Sequence, residues 1–300
     1  MTKAVRRLGR ERIEHALECL KECDRAEAIH CARKDIKKVR AVLRLVCTRI
    51  RKKDWCRLTD QLRQAAKQLA VPRDAYVKPR TLRNLIHHFK GQLAAGALRH
   101  VRTELRTACD EQMKEFTKEK TVQSVERTLR RAAKELDHLK VNGEDWKALC
   151  PGVKRAYSAG QHAYETVLKD PSPENFHEWR KRAKDLWYQV TLLRRLWPEQ
   201  MDAMERELEA LGEHLGDDHD LVMLRQAVEE KGASVGNPRE LELLNGLIEE
   251  RQRKLRTAAL AVGSRFYAEK PSAFSNRLAR YWQVWRGEKA PSLKSAETAA

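Results

Sequence analysis

This chain interrupts itself rarely. Its Gly and Pro residues fall in a few places, and between them the apolar residues recur at steps of three and four. That period lines one face of a helix and cannot line one face of a strand, so the sequence predicts an all-α fold. Helices are expected at 3–24, 27–53, 55–70, 80–115 and 119–139. A break at Asn142-Gly143 and a second stop at Cys150-Pro151-Gly152 follow. Helices resume at 153–169, 174–196, 199–215, 219–232, 239–268 and 273–286. Pro173 and Pro238 mark helix starts. Residues 287–300 are polar and small and are expected to form a disordered tail.

The two halves read as copies of one unit. Ile29-His30-Cys-Ala-Arg33-Lys34-Asp-Ile-Lys37 aligns with Phe176-His177-Glu-Trp-Arg180-Lys181-Arg-Ala-Lys184 at an offset of 147. Leu69 to Asp74 aligns with Leu215 to Asp220, Leu105-Arg106-Thr-Ala with Leu255-Arg256-Thr-Ala, and Val5-Arg6-Arg7 with Val153-Lys154-Arg155. Four matches in one order at a near-constant offset indicate duplication. The expected architecture is repeat one over 1–141 and repeat two over 152–286, each a four-helix bundle, packed about a pseudo-twofold axis.

Charge supplies the functional signal. Lys and Arg exceed Asp and Glu by enough to give a formal charge of +18, an excess that repels itself in a compact chain and suits a polyanionic partner. The excess is patterned. In copy one Ile29, Ala32, Ile36, Val39, Leu43 and Val46 form a core seam, and one residue further on stand His30, Arg33, Lys37, Arg40 and Arg44. One residue is about 100° of rotation, so this basic column borders the buried seam. In copy two Phe176, Trp179, Ala183, Leu186, Val190 and Leu193 form the seam, flanked by His177, Arg180 and Lys184 with Lys181 beside them. A charge run on a helix often marks a solvated face. Here only Asp35 interrupts the column and the repeat carries the same device, so two columns facing a central pore or groove are expected. From His30 to Arg44 the column is about 21 Å long, the scale of an extended polyanion.

These residues resemble the CHAD domain, the conserved histidine α-helical domain, over almost the whole chain. The resemblance implies paired four-helix bundles and binding of inorganic polyphosphate in a basic pore. It places His30, Arg33, Lys34 and Lys37 on one wall and His177, Arg180, Lys181 and Lys184 on the other. The column adds Arg40 and Arg44, and the weaker repeat matches add Arg7, Arg155, Arg106 and Arg256. Asp185 stands where copy one has Lys38. CHAD domains often accompany a triphosphate hydrolase domain marked by Glu-x-Glu-x-Lys. Glu205-Arg-Glu207-Leu-Glu209 lacks the Lys, so a stand-alone binding module is expected.

Catalytic signatures are missing. The sequence has no Gly-x-x-x-x-Gly-Lys-Ser/Thr loop, no His-Glu-x-x-His and no nucleophile in a recognisable setting. His214-Leu-Gly-Asp217-Asp218-His219-Asp220 holds metal-type donors but is read as a helix-to-helix turn, with Gly216 ending one helix and Asp217 or Asp218 capping the next. No metal or cofactor is assigned and the chain is read as a non-enzyme. Two other readings stand beside it. A helical nucleic-acid binder would need an exposed basic face with aromatic or amide readout, which the Trp residues and the column do not supply. A metal-dependent polyphosphate-processing enzyme would need a metal or general base.

The seven Cys lie in the first half, most of them read as small core residues, which argues for a reducing compartment. No signal peptide and no membrane span are evident, and Glu11 and Glu14 argue against a transit peptide. A cytoplasmic protein, associated with polyphosphate stores, is therefore expected.

Overall fold

The computed structural model describes residues 1–22, 25–116, 119–232 and 235–288. Among these, eleven α-helices and two 3-10 turns account for nearly all the chain, with no strand. In chain order they are α1 (Thr2–Glu22), α2 (Arg25–Leu45), α3 (Lys52–Gln68), α4 (Ala70–His88), α5 (Arg99–Phe116), α6 (Glu119–His138), α7 (Asp145–Lys169), α8 (Pro173–Leu192), α9 (Pro198–Lys231), α10 (Pro238–Phe266) and α11 (Pro271–Glu288). Residues 287 and 288, expected in the tail, belong to α11, which continues through Glu288; residues 289–300 lie outside the described residues, as does Cys23. None of the described helices is long and apolar enough to cross a membrane.

Local chemistry sets the helix starts. Ser172 Oγ accepts from Asn175 N at the head of α8, with Pro173 at the first helical position. Asn237 and Glu240 form a reciprocal capping box before Pro238 at the head of α10.

Three expected breaks differ from the structure. Pro151 lies inside α7, where it removes the amide that would bond Lys147 O. That carbonyl accepts from Arg49 Nη2 instead, at 3.1 Å. Gly152 is needed for contact, not for a turn: a Cβ there would stand 2.0 Å from Leu45 O, so only Gly lets α7 touch the end of α2. Gly216 does not end a helix, and α9 runs unbroken through His214–Asp220. Conversely, the single helix expected at 80–115 is two. Gly96 and Leu98 take positive φ in the turn before α5, while α4 begins ten residues earlier, at Ala70. Pro72 falls in the first turn of α4, where no helical amide is lost, and Pro79 is carried in its interior.

Element order is similar in the two halves. A 3-10 turn at Cys47–Arg49 follows α2, and another at Arg194–Leu196 follows α8, at the offset of 147. The continuous α9 occupies the place of α3 and α4 together. The cores, however, are shared between the copies. The larger draws on α1, α2, α3 and α6 from the first half and on α7, α8, α9, α10 and α11 from the second. The smaller joins Leu82, Leu85, Val101 and Leu105 of α4 and α5 to Leu221, Leu224, Leu244 and Ile248 of α9 and α10. Consequently α2 packs on α8 and α4 on α9. Thr2 Oγ1 donates to Val141 O and Arg6 Nε to Leu139 O, fastening α1 to the segment after α6.

The cysteines depart from expectation. Among the described ones Cys19 and Cys109 are buried, Cys31, Cys47 and Cys150 are half-buried and Cys56 is exposed. Cys19 and Cys31 are joined as a disulfide across the α1–α2 hairpin.

Candidate anion-binding site

Both seams are buried as expected: Ile29, Ala32, Ile36, Val39, Leu43 and Val46 on α2, and Phe176, Trp179, Ala183, Leu186, Val190 and Leu193 on α8. Because α2 and α8 pack on each other, the columns one residue off these seams meet between them. Their meeting point is Lys37. Burial pushes its ammonium down to about 7, and Arg180, Arg33, Lys184 and Arg73 push in the same direction. Three helices therefore supply the surrounding cations: α2 gives Arg33, α8 gives Arg180 and Lys184, and α4 gives Arg73. Burial also lowers Arg33, Arg73 and Lys184. Arg80, one further α4 position, acts on Arg73 and on His30.

Little within the protein neutralises this group. Among the described residues no carboxylate lies at ion-pair distance from Arg33, Lys37, Arg73, Arg80, Arg180 or Lys184. Arg33 Nη1 donates to Ala66 O at 2.9 Å, which fixes its direction without cancelling its charge. Arg180 Nε is buried with no hydrogen-bond partner among the described residues. Asp74 and Asp220 stand near enough to favour the charged forms of Arg33 and Arg73, and Glu213, Asp220 and Glu209 do the same for Lys184, all without a direct ion pair. Burial raises the Asp220 carboxyl, against the pull of Arg180 and Arg73.

A fourth helix, α9, borders the group. A Cβ at Gly212 would lie 3.6 Å from Lys184 Nζ, and one at Gly216 would lie 3.7 Å from Arg180 Nε. These two glycines, one turn apart, leave α9 bare where the two cations pass. Three residues beyond Gly216, His219 brings Nδ1 to 3.1 Å from His177 Nδ1. Burial, then Arg180 and His177, push His219 down to about 3, and burial with Lys181 and Arg180 lowers His177. Both rings are neutral at pH 7, so one Nδ1–H donates to the other Nδ1, and only the accepting ring keeps an N–H, at Nε2, for an anion. His30 is exposed at the rim and is likewise lowered, first by burial and then by Arg73.

The structure sorts the expected residues. It brings together Arg33, Lys37, Arg180 and Lys184, with His30 and His177 beside them. Lys34 and Lys181 are exposed at the edge, and Lys181 pairs with Glu178. Further along α2, Arg44 Nη1 donates to Asp185 Oδ1 at 2.5 Å, and Arg40 Nε is buried without a hydrogen-bond partner among the described residues. Asp185 thus has a purpose: the acid standing in place of Lys38 neutralises the far end of the column. Four residues lie outside the group. Arg7 is exposed 3.8 Å from Glu11, Arg155 donates to Cys47 Sγ, Arg106 is exposed on α5, and Arg256 Nε donates to Asp218 Oδ1 at 2.8 Å. Arg256 also stacks on Phe176, 4.5 Å from the ring centroid.

Sequence reasoning missed Arg80 and the partnership of His219 with His177. Arg73 and Arg80 are seven residues apart and share a helix face. That signal was hidden because Pro72 and Pro79 read as loop.

The family model of the CHAD domain matches residues 6–229. The chain belongs to the CHAD family. No curated protein matches it. Among solved structures, PptA from Streptomyces chartreusis superposes with a TM-score of 0.66 at 14% identity, covering 90% of this chain and 99% of that one. The CHAD domain from the plant Ricinus communis gives 0.54 at 15% identity, covering 89% and 91%. At such identities these likenesses concern the fold of this CHAD protein, which they follow well past residue 229.

Proposed function

We propose that this CHAD protein binds inorganic polyphosphate, without catalysis, in a basic pore formed where α2, α4, α8 and α9 meet. One observation carries the reading: Lys37, Arg33, Arg180, Lys184 and Arg73 are held together, partly desolvated, without paired carboxylates. Like charges so arranged destabilise the protein alone and are relieved by a polyanion. Membership of the CHAD family supports a phosphate polymer as that ligand. The matched element order of the two halves supports a pseudo-twofold relation, with α2 and α8 as equivalent walls. Phosphate oxygens would accept from the guanidinium and ammonium donors, from neutral His30 and from the one free N–H of the His177–His219 pair. We read the group as a binding site alone, and the assay for orthophosphate below tests that reading. The cytoplasm is the compartment this role suits.

Titration of long-chain polyphosphate at physiological salt tests the proposal. Tight binding to polyphosphate and much weaker binding to single-stranded DNA or RNA of equal charge are expected. Equal affinity for the nucleic acids would overturn the phosphate-polymer assignment. Release of orthophosphate in the presence of divalent metal would overturn the non-catalytic one.

A further inference from the structure

The α1–α2 hairpin carries a second cluster, unconnected with the anion site. His15 and Cys19 are one turn apart on α1, and Cys31 and Asp35 one turn apart on α2. Residues four apart share a helix face, so two antiparallel helices present all four to one another. Among the described residues this is where a histidine and two cysteines have their ligand atoms within 4.8 Å of one another. His15 Nδ1 lies 3.6 Å from Cys31 Sγ and 3.8 Å from Cys19 Sγ, and His15 Nε2 lies 3.9 Å from Cys19 Sγ. In a tetrahedral zinc site, sulfur and nitrogen ligands stand about 3.5 Å apart, so the 3.9 Å between Nε2 and Cys19 Sγ is near ligand spacing, while Nδ1, nearer both sulfurs, is held by Asp35.

Asp35 completes the arrangement. It is 1% exposed, and its Oδ2 stands 2.5 Å from His15 Nδ1. Its other oxygen faces Lys38 Nζ at 3.6 Å and Arg12 Nη1 at 3.8 Å. A carboxylate in that position accepts the Nδ1 proton of a metal-binding histidine and leaves Nε2 to the metal. The His15 side chain is 51% exposed, which gives an ion a route in.

We propose that, once the Cys19–Cys31 disulfide is reduced, Cys19, Cys31 and His15 Nε2 bind one zinc ion, with Asp35 orienting His15 and water in the fourth position. The chemistry balances in two steps. A phosphine or a cellular dithiol supplies two electrons to the sulfur–sulfur bond, and solvent supplies two protons. Zinc then replaces those two thiol protons, which return to solvent. Two thiolates neutralise the ion, so the site adds no net charge to the hairpin. The same pair is therefore a crosslink when oxidised and a zinc site when reduced.

The test uses the full chain, reduced with a phosphine, freed of reductant without oxygen, and titrated with cobalt(II) and then zinc. Expected is one equivalent of cobalt, a thiolate-to-metal charge-transfer band with strong visible bands of tetrahedral ligation, and their loss on adding zinc. Replacing both cysteines with Ser should abolish the charge-transfer band, while circular dichroism reports the retained fold. His15→Asn should weaken zinc at least tenfold. Asp35→Asn should keep the spectrum and weaken zinc by about 10- to 100-fold. A reduced chain without the thiolate band overturns the proposal, as does equal cobalt affinity in the double-Ser variant. A Cys19–Cys31 bond that survives phosphine treatment of the native protein leaves a structural disulfide and overturns it too.

Discussion

Lys37 is where sequence pattern turns into measurable thermodynamics. Its ordinary ammonium value is near 10.5, and in the folded chain it falls to about 7, first through burial and then through Arg180, Arg33, Lys184 and Arg73. Between those values the unfolded chain holds a proton that the folded chain has released. Stability therefore rises with pH across that window, and the cost is complete below pH 7. Replacing Lys37 with Met should raise stability at pH 6–7 by about 1–3 kcal/mol, with the gain shrinking toward pH 10. Thermal melts of both proteins at several pH values measure this; a constant difference would mean the lysine is not desolvated. Binding should show the same group from the other side. A polyanion restores the charged form, so above pH 7 binding takes up a proton and affinity falls as pH rises. Calorimetry in buffers of different ionisation heat should register that uptake at pH 8, and Lys37→Met should remove much of it. The seam and its basic border were legible in the sequence because both follow from one local period, Ile29 to Val46 and His30 to Arg44. The fate of Arg44 was not, because its partner Asp185 is 141 residues away.

At the scale of elements, glycines separate what the sequence could tell from what only packing decides. Pro151-Gly152 and Gly216 carry the composition of helix stops, and both lie inside helices. At Gly152 the reason is the Leu45 carbonyl, whose position no local pattern encodes. Gly152→Ala should force α7 away from α2 and destabilise the protein by about 3 kcal/mol, readable by chemical denaturation. Gly216 differs. An added methyl would meet Arg180 Nε at 3.7 Å, an ordinary contact. Gly216→Ala should therefore stabilise α9 by roughly 0.8 kcal/mol, the usual helix preference of Ala over Gly. Gly216→Leu should instead displace Arg180 and weaken polyphosphate binding without unfolding α9. If Leu there leaves affinity unchanged, α9 is not a wall of the site. The same element-scale limit hid Arg80 and the helix that Arg73 shares with it: two prolines obscured an element whose support comes from α5 and α9, not from its own propensities.

For the whole molecule, what matters is that both cores are shared between the two halves of the chain. Because α4 and α5 pack with α9 and α10, neither half buries its apolar surface alone, and the two basic columns are held in register by cores on both sides. The cations are thus preorganised by apolar packing rather than by ion pairs, so removing them should leave the fold standing. The variant with Arg33, Lys37, Arg180 and Lys184 all replaced by Ala should lose polyphosphate binding while its melting temperature stays level or rises. In the native protein, saturating polyphosphate at about 100 times Kd should add about 2.7 kcal/mol of stability, and in the variant nothing. Salt supplies an independent count. Each phosphate contact to a flexible single chain contributes about −0.7 to the slope of log K against log salt concentration. Single Ala replacements at Arg33, Arg73, Arg180 and Lys184 should each flatten that slope by about this amount, whereas replacement of Arg7 or Arg106, which lie outside the group, should leave it unchanged. Equal flattening from both sets would place the polyanion on the general surface field of a +18 chain instead of between its helices. A large loss of helicity in the fourfold variant would show that these cations hold the bundle together.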